Sequence, residues 1–257
     1  MRYLRAIGTL ILLISAFYIS AQQAFLKVDK LEHIYSVNGD LLEKHDKFGN
    51  KLFSFSYKNS GNISSIDVND PLKIMVFYKD LGQVLFLDNT LSITQNPFSL
   101  HAYEISEPIL VCSSSDKGLW ILDRYNMTLS KIDFNLQLVH SIPNINLIIG
   151  KQIAPVEMFK AGKNLFINDP ENGIFVFDTF GSFIRTIPIK NISSFNVSGN
   201  KLFYYDNHGA RIFDMKSYTE HAISLPDIPF SAIAFGSSFI CLWDQSMSAF
   251  HIKILKD

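Results

Sequence analysis

Short apolar runs alternate with turn-forming residues along most of this chain, and the stretch Leu165–Ile187, LFINDPENGIFVFDTFGSFIRTI, shows the grammar in full. Two runs, Leu165–Ile167 and Ile174–Phe177, each lead to an aspartate, Asp169 and Asp178. A glycine-bearing turn follows each, Pro170–Gly173 and Thr179–Gly181, before a third run at Phe183–Ile187. Runs rich in β-branched and aromatic residues, punctuated by Asp and Gly, predict strand, turn, strand, turn, strand.

The two aspartates serve as markers for the rest of the chain. The first recurs at Asn38, Asp80, Asp123, Asp169, Asp206 and Asp244. The second recurs at Asp46, Asp88, Asp133, Asp178, Asp214 and, as a departure, His251. Successive markers lie 36 to 46 residues apart. A further apolar run precedes the first marker in each unit, as at Ile109–Cys112, Phe195–Val197 and Ala232–Phe235. Four strands at a period near 40 describe the blade of a propeller, so the fold class is all-β, a six-bladed β-propeller. Runs that are apolar at every position, such as Val84–Leu87, suit strands covered on both faces by neighbouring blades. At the ends of the chain, Phe25–Val28 is offset from the next run as inner strands are elsewhere. It is therefore read as the inner strand of blade one, which leaves blade six with three strands; the alternative is that it crosses over to complete blade six.

The layout strand-Asp-turn-strand-Asp-x-x-Gly-strand also resembles an NHL repeat. The resemblance is clear in the fourth unit and recognisable in the first (Asp46, Gly49) and fifth (Leu202 to Asp214). It is eroded in the third, where Asp133-Phe-Asn-Leu136 stands for Asp-x-x-Gly, and in the sixth. It implies a propeller over about 230 residues. Proteins of this build include binding scaffolds, hydrolases and lyases, so it does not carry a function.

Residues 1–21 are set apart from this pattern. Arg2 and Arg5, the apolar run Ala6–Ile19 and the small pair Ser20-Ala21 have the layout of a secretory signal, predicting a mature start at Gln22. With no division in the remainder, residues 22–257 are read as one exported domain, periplasmic, envelope-bound or secreted, without membrane insertion. Without Arg2 and Arg5 the net charge moves from −1 to −3, which is no electrostatic footprint for nucleic acid. Aromatic residues at 13% and charged ones at only 18% exclude a disordered chain.

Candidate chemistry is sparse. The marker aspartates are read as turn caps that accept backbone N–H groups two or three residues on. The seven histidines show no ligand spacing, and Gly236-Ser-Ser238 lacks the closing glycine of a nucleophile elbow. Cys112 and Cys241 fall in opposite blades, too far apart for a disulfide, and are expected as buried free thiols. No metal or cofactor is expected. A channel metal serving a hydrolase or lyase is the alternative, for which Asp67, Glu107 and Glu157, with Ser65, Ser194 and Ser231, are the available donors.

The connections say more. Links between blades open on the same face as the turns between second and third strands. The longest of both, Ser99–Pro108, Pro143–Pro155 and Arg124–Ile132, converge on blades three and four. They bring together His101, Tyr103, Glu104, Glu107, Arg124, Tyr125, Lys151 and Gln152, with an apolar run at Leu147–Ile149. Long loops bearing Tyr, Arg and aliphatic residues are interface material. The expected function is a non-enzymatic propeller that binds a protein or envelope component through this sector.

Overall fold

The computed structural model describes residues 24–255. The secretory signal expected in residues 1–21 lies outside that range. Within it, 23 strands form six antiparallel sheets, each a blade. Blade one comprises β1 (Phe25–Val28), β2 (Ile34–Asn38), β3 (Leu41–His45) and β4 (Lys51–Ser56). Blade two holds β5 (Ser65–Asp67), β6 (Ile74–Tyr78), β7 (Gln83–Leu87) and the two-residue β8 (Phe98–Ser99). Blade three is built from β9 (Pro108–Ser113), β10 (Leu119–Asp123), β11 (Thr128–Ile132) and β12 (Leu138–Ile142). A short helix, α1 (Ile145–Ile149), leads to blade four: β13 (Glu157–Ala161), β14 (Asn164–Asp169), β15 (Gly173–Phe177) and β16 (Phe183–Ile187). Blade five has β17 (Ser194–Ser198), β18 (Lys201–Asp206), β19 (Gly209–Asp214) and β20 (Thr219–Ile223). Blade six has only β21 (Phe230–Phe235), β22 (Phe239–Asp244) and β23 (Phe250–Ile254). The ring closes as β1 packs against β21, so the offset of Phe25–Val28 was a true guide.

The apolar runs acquire their meaning from six separate cores, one in each gap between blades. Along β6, Ile74, Val76 and Tyr78 enter the core shared with blade one, while Met75 and Phe77 enter the core shared with blade three. Successive side chains of a strand point to opposite faces, so a strand sandwiched between two blades must be apolar at every position. β15, buried throughout, is built the same way, dividing Phe175 and Phe177 from Ile174 and Val176. Cys112 and Cys241 are both free and buried, and burial pushes the Cys241 thiol up to about 12.

The second-marker turns share one geometry. Asp46, Asp88, Asp133 and Asp178 each accept, on one carboxylate oxygen, the N–H groups of the second and fourth residues that follow, at 2.8–2.9 Å. The backbone N–H of the third residue closes onto the aspartate's own carbonyl. That third residue is left-handed in all four: Gly49, Leu91, Leu136 and Gly181 have φ of 88°, 61°, 61° and 82°. The third unit is therefore the same turn with a leucine in the glycine's place. At Asp178, burial raises the carboxyl pKa, but the hydrogen bonds from Ser182 and Phe180 outweigh it and hold it low. A depressed pKa contributes stability above the unfolded value, lost as pH falls through the folded one. Asp178→Ala is expected to cost about 0.5–2 kcal/mol at neutral pH, the scale of a lost cap. The difference from the parent should shrink below about pH 4, the ordinary Asp value, as urea titrations at two pH values would show.

Two markers and one link sit differently from the sequence pattern. Asp80 lies two residues beyond β6, in a 3-10 turn, and the buried Tyr78 takes the strand-end position. His251 lies inside β23 opposite Leu242, not at its end. Thr128–Ile132, read as part of a link, is the strand β11, so the turn before it spans only residues 124–127. The longest second-to-third turn is 245–249 in blade six.

Candidate binding site on the link face

On the link face, the first-marker aspartates of blades three and four act as staples. Asp123 is buried at the end of β10, where it accepts the N–H of Tyr125 in its own turn at 3.0 Å. It also accepts the N–H groups of Ser106 and Glu107 in the incoming link, at 2.8 and 3.0 Å. Asp169 repeats this with Glu171 and Asn172 in its turn, at 2.9 and 2.8 Å, and Ala154 in the link, at 2.6 Å. A carboxylate surrounded by backbone donors makes charge-assisted hydrogen bonds, stronger than neutral ones. Both long links are thereby fixed to the blades they enter.

Helix α1 is anchored on the same turn. The N–H groups of Asn144 and Ile145 donate to the carbonyls of Asn126 and Met127, at 3.2 and 2.9 Å. Ile145 and Ile149 pack into the core between blades three and four, whereas Leu147 is 77% exposed and Ile148 is exposed beside it. Tyr125 stands 74% exposed at the tip of the neighbouring turn, and Val156 is exposed where the link enters β13. Arg124 and Glu107, both solvent-accessible, form an ion pair at 3.3 Å. Such an exposed pair is worth little by itself.

The sequence-selected residues divide accordingly. Glu107, Arg124 and Tyr125 lie together, and Lys151 is exposed just beyond α1. Gln152 is committed: its side chain accepts the Asn146 amide at 2.9 Å, and its carbonyl accepts that of Asn172. His101 belongs to blade two, with Nδ1–H donating to the Ile105 carbonyl at 2.9 Å and its ring against Gly82. Tyr103 is partly buried, edge-on to Phe98 with centroids 6.4 Å apart. Glu104 is exposed in the left-handed residue that ends the 3-10 turn.

A cavity of ≈ 940 Å³ runs along the axis between the inner strands. Lys27 of blade one reaches across it to pair with Glu157 of blade four. The Asn69 amide of blade two donates to the Lys160 carbonyl of blade four at 3.0 Å. Of the other donors considered for a channel metal, Ser65 Oγ is a lone buried hydroxyl without a hydrogen-bond partner, and Ser231 donates to the Asp244 carbonyl at 3.0 Å. Asp67 accepts the N–H groups of Asn69 and Ser113, at 2.8 and 2.7 Å. Ser194 donates to the Ile233 carbonyl at 2.9 Å, and Glu107 pairs with Arg124, which itself lines the cavity. These polar side chains satisfy the inner edges of neighbouring blades. Among the described residues no group of three His, Cys, Asp or Glu is placed to hold a metal ion, and the donor set does not fit one.

Sequence reasoning missed a second surface, on the opposite face. Phe48, Phe134, Phe180 and Tyr218 stand exposed at the turns after the third strands of blades one, three, four and five. Each lies within four residues of a second-marker aspartate, an offset visible in the sequence.

The sequence matches no family description, and no curated protein is significantly similar to it. Solved structures do match. The WD40 domain of Neurospora crassa Pan2 superposes with a TM-score of 0.58 at 10% identity, covering 92% of this chain and 77% of that one. A streptogramin B lyase gives 0.52 at 14% identity, covering 93% and 85%. The extracellular domain of a one-component system from B. thetaiotaomicron gives 0.54 at 14%, covering 84% of this chain and 31% of that one. The likeness is one of fold. A WD40 domain, a lyase and an extracellular domain share the propeller, so the function must be argued from the surface.

Proposed function

We propose that this chain is an exported, non-enzymatic propeller of NHL-like build that binds a protein or envelope component through the link face of blades three and four. The observation that carries the reading is the exposure of Tyr125 and Leu147 on segments hydrogen-bonded into place. Fixing a loop residue costs roughly 1–2 kcal/mol of entropy, and here Asp123 and Asp169 supply the compensating bonds. A partner then meets a preorganised surface and does not bear that ordering cost. Tyrosine and arginine flanked by aliphatic residues are the side chains that binding hot spots use.

The test is quantitative capture of the native partner from envelope extract on immobilised protein. Arg124→Ala and Tyr125→Ala should each weaken capture about tenfold or more, with little change in Tm, because both side chains are exposed. His208→Ala, in the turn of blade five, should leave capture intact. Equal losses from both sectors would place the partner elsewhere, and no loss from any would end the proposal. Intact-mass measurement of the exported protein should give a chain starting at Gln22.

A further inference from the structure

The surface of blade six carries an inference that goes beyond this reading and lies in a different sector. Its sheet ends at β23, one strand short of its neighbours. The bonds from Asp244 N–H to the Ala249 carbonyl and from Leu255 N–H to the Ser238 carbonyl, at 3.0 and 2.8 Å, fix the phase of the β22–β23 ladder. Residues 249, 251, 253 and 255 turn their backbone groups toward β22. Phe250, Ile252 and Ile254 therefore present N–H and C=O outward, and among the described residues no further strand receives them.

Unpaired edges are normally blunted by bulges, short strands or charge. Register shifts interrupt the outermost pairs of blades one, three and four, and β8 of blade two has two residues. β20 of blade five is regular but lies one strand further out. β23 pairs with β22 over five residues without a shift. Its two sides differ in chemistry. Phe250, Ile252 and Ile254 share the side toward blade one, and Ile254 is 66% exposed. His251 and Lys253 share the side toward blade five, where His221 of β20 also faces.

We propose that this edge accepts an extended peptide segment of a partner protein as a fourth strand, with apolar residues alternating with acidic ones. Main-chain bonds would supply affinity and the two-sided edge selectivity. Apolar side chains would lie beside Ile252 and Ile254, and carboxylates opposite His251 and Lys253, where opposite charges favour cross-strand pairing. A second copy of this chain is the poorer occupant. Two-fold antiparallel pairing would set Lys253 against itself, where like charges directly opposed are unfavourable, or in the other registers leave it facing a residue that is no carboxylate.

The experiment is fluorescence anisotropy of a labelled, alternating Val/Glu peptide with the full chain. A Val/Lys peptide and a Val/Glu peptide N-methylated on alternate residues serve as comparisons. The Val/Glu peptide should bind, the Val/Lys version about tenfold or more weaker, and the N-methylated one not measurably. Ile252→Pro should abolish binding, because its N–H points away from β22 and proline is tolerated there. Lys253→Glu should reverse the preference, a readout that holds even if Ile252→Pro fails to fold. Arg124→Ala should not affect peptide binding, which separates this site from the link face. Absence of binding by the Val/Glu peptide, or binding indifferent to Lys253→Glu and N-methylation, overturns the proposal. So does a concentration-dependent dimer in sedimentation that Ile252→Pro dissolves.

Discussion

Replacing Asp169 by alanine is expected to destabilise the protein by about 3 kcal/mol and to loosen the link before blade four. The carboxylate receives three backbone N–H groups, from Ala154, Glu171 and Asn172, and is itself buried. Hydrogen bonds to a charged group contribute about 1.5–3 kcal/mol each, and removing the acceptor orphans every donor. The sum is reduced because freed donors near the surface regain water. Asp206→Ala is the internal comparison: that aspartate holds only the backbone N–H of His208, at 2.8 Å, besides a longer contact to the same ring, and it grips no incoming link. Its loss should cost about 1 kcal/mol. Hydrogen exchange decides the matter. Amides of 150–154 should exchange faster in Asp169→Ala and unchanged in Asp206→Ala; equal protection in both variants would mean the link is held by something else.

Gly181→Leu is expected to cost about 3 kcal/mol or more, although leucine stands at the same turn position in two other blades. There is no room for it in blade four. A Cβ at Gly181 would lie 2.2 Å from Ile142 Cδ1 and 3.1 Å from Trp120 Cη2. In blades two and three, Leu91 and Leu136 send their own side chains into that space and pack on the cores. In blades one and four the neighbouring blade fills it instead, with Phe250 against Gly49 and with Ile142 and Trp120 against Gly181. Overpacking typically costs 1–3 kcal/mol, and the left-handed backbone at φ 82° adds about 1–2 kcal/mol for any side chain. A urea midpoint for Gly181→Leu equal to that of the parent would show that Trp120 and Ile142 can move aside.

These cases indicate what the sequence could disclose. Blade number and ring closure were legible because each turn has a local chemistry, an aspartate gripping its own next few amides, that leaves the same mark in successive units. The unit with Leu136 read as eroded because one letter cannot show which blade fills a gap. β11 was read as part of a link because the polar pair Ser130-Lys131 interrupts Thr128–Ile132, yet both residues are buried. Lys131 is accommodated by an ion pair with Asp116 at 2.9 Å and by the Trp120 ring, 5.5 Å from its ammonium. In the candidate site, loop length singled out Arg124, Tyr125 and Glu107, which the fold places together. The contacts of Tyr103 with Phe98 and of Gln152 with Asn146 were not legible, because they are settled by tertiary packing. The aromatic turns of the opposite face were passed over because each belongs to a turn of ordinary length.

The seam between blades one and six has a consequence for the order of assembly. It is closed by side chains alone, with Leu26 and Ile34 of the first blade meeting Phe239, Cys241 and Trp243 of the last. No strand is shared across it. A chain emerging from its N-terminus thus makes one half of this joint with blade one and the other half only when blade six follows. Until then Leu26 and Ile34 are unsheltered, and contacts spanning the whole chain are the slowest to form. The segment from Phe230 onward takes no part in the link-face sector, yet the finished circle, and with it the rigidity of every loop described above, depends on its arrival.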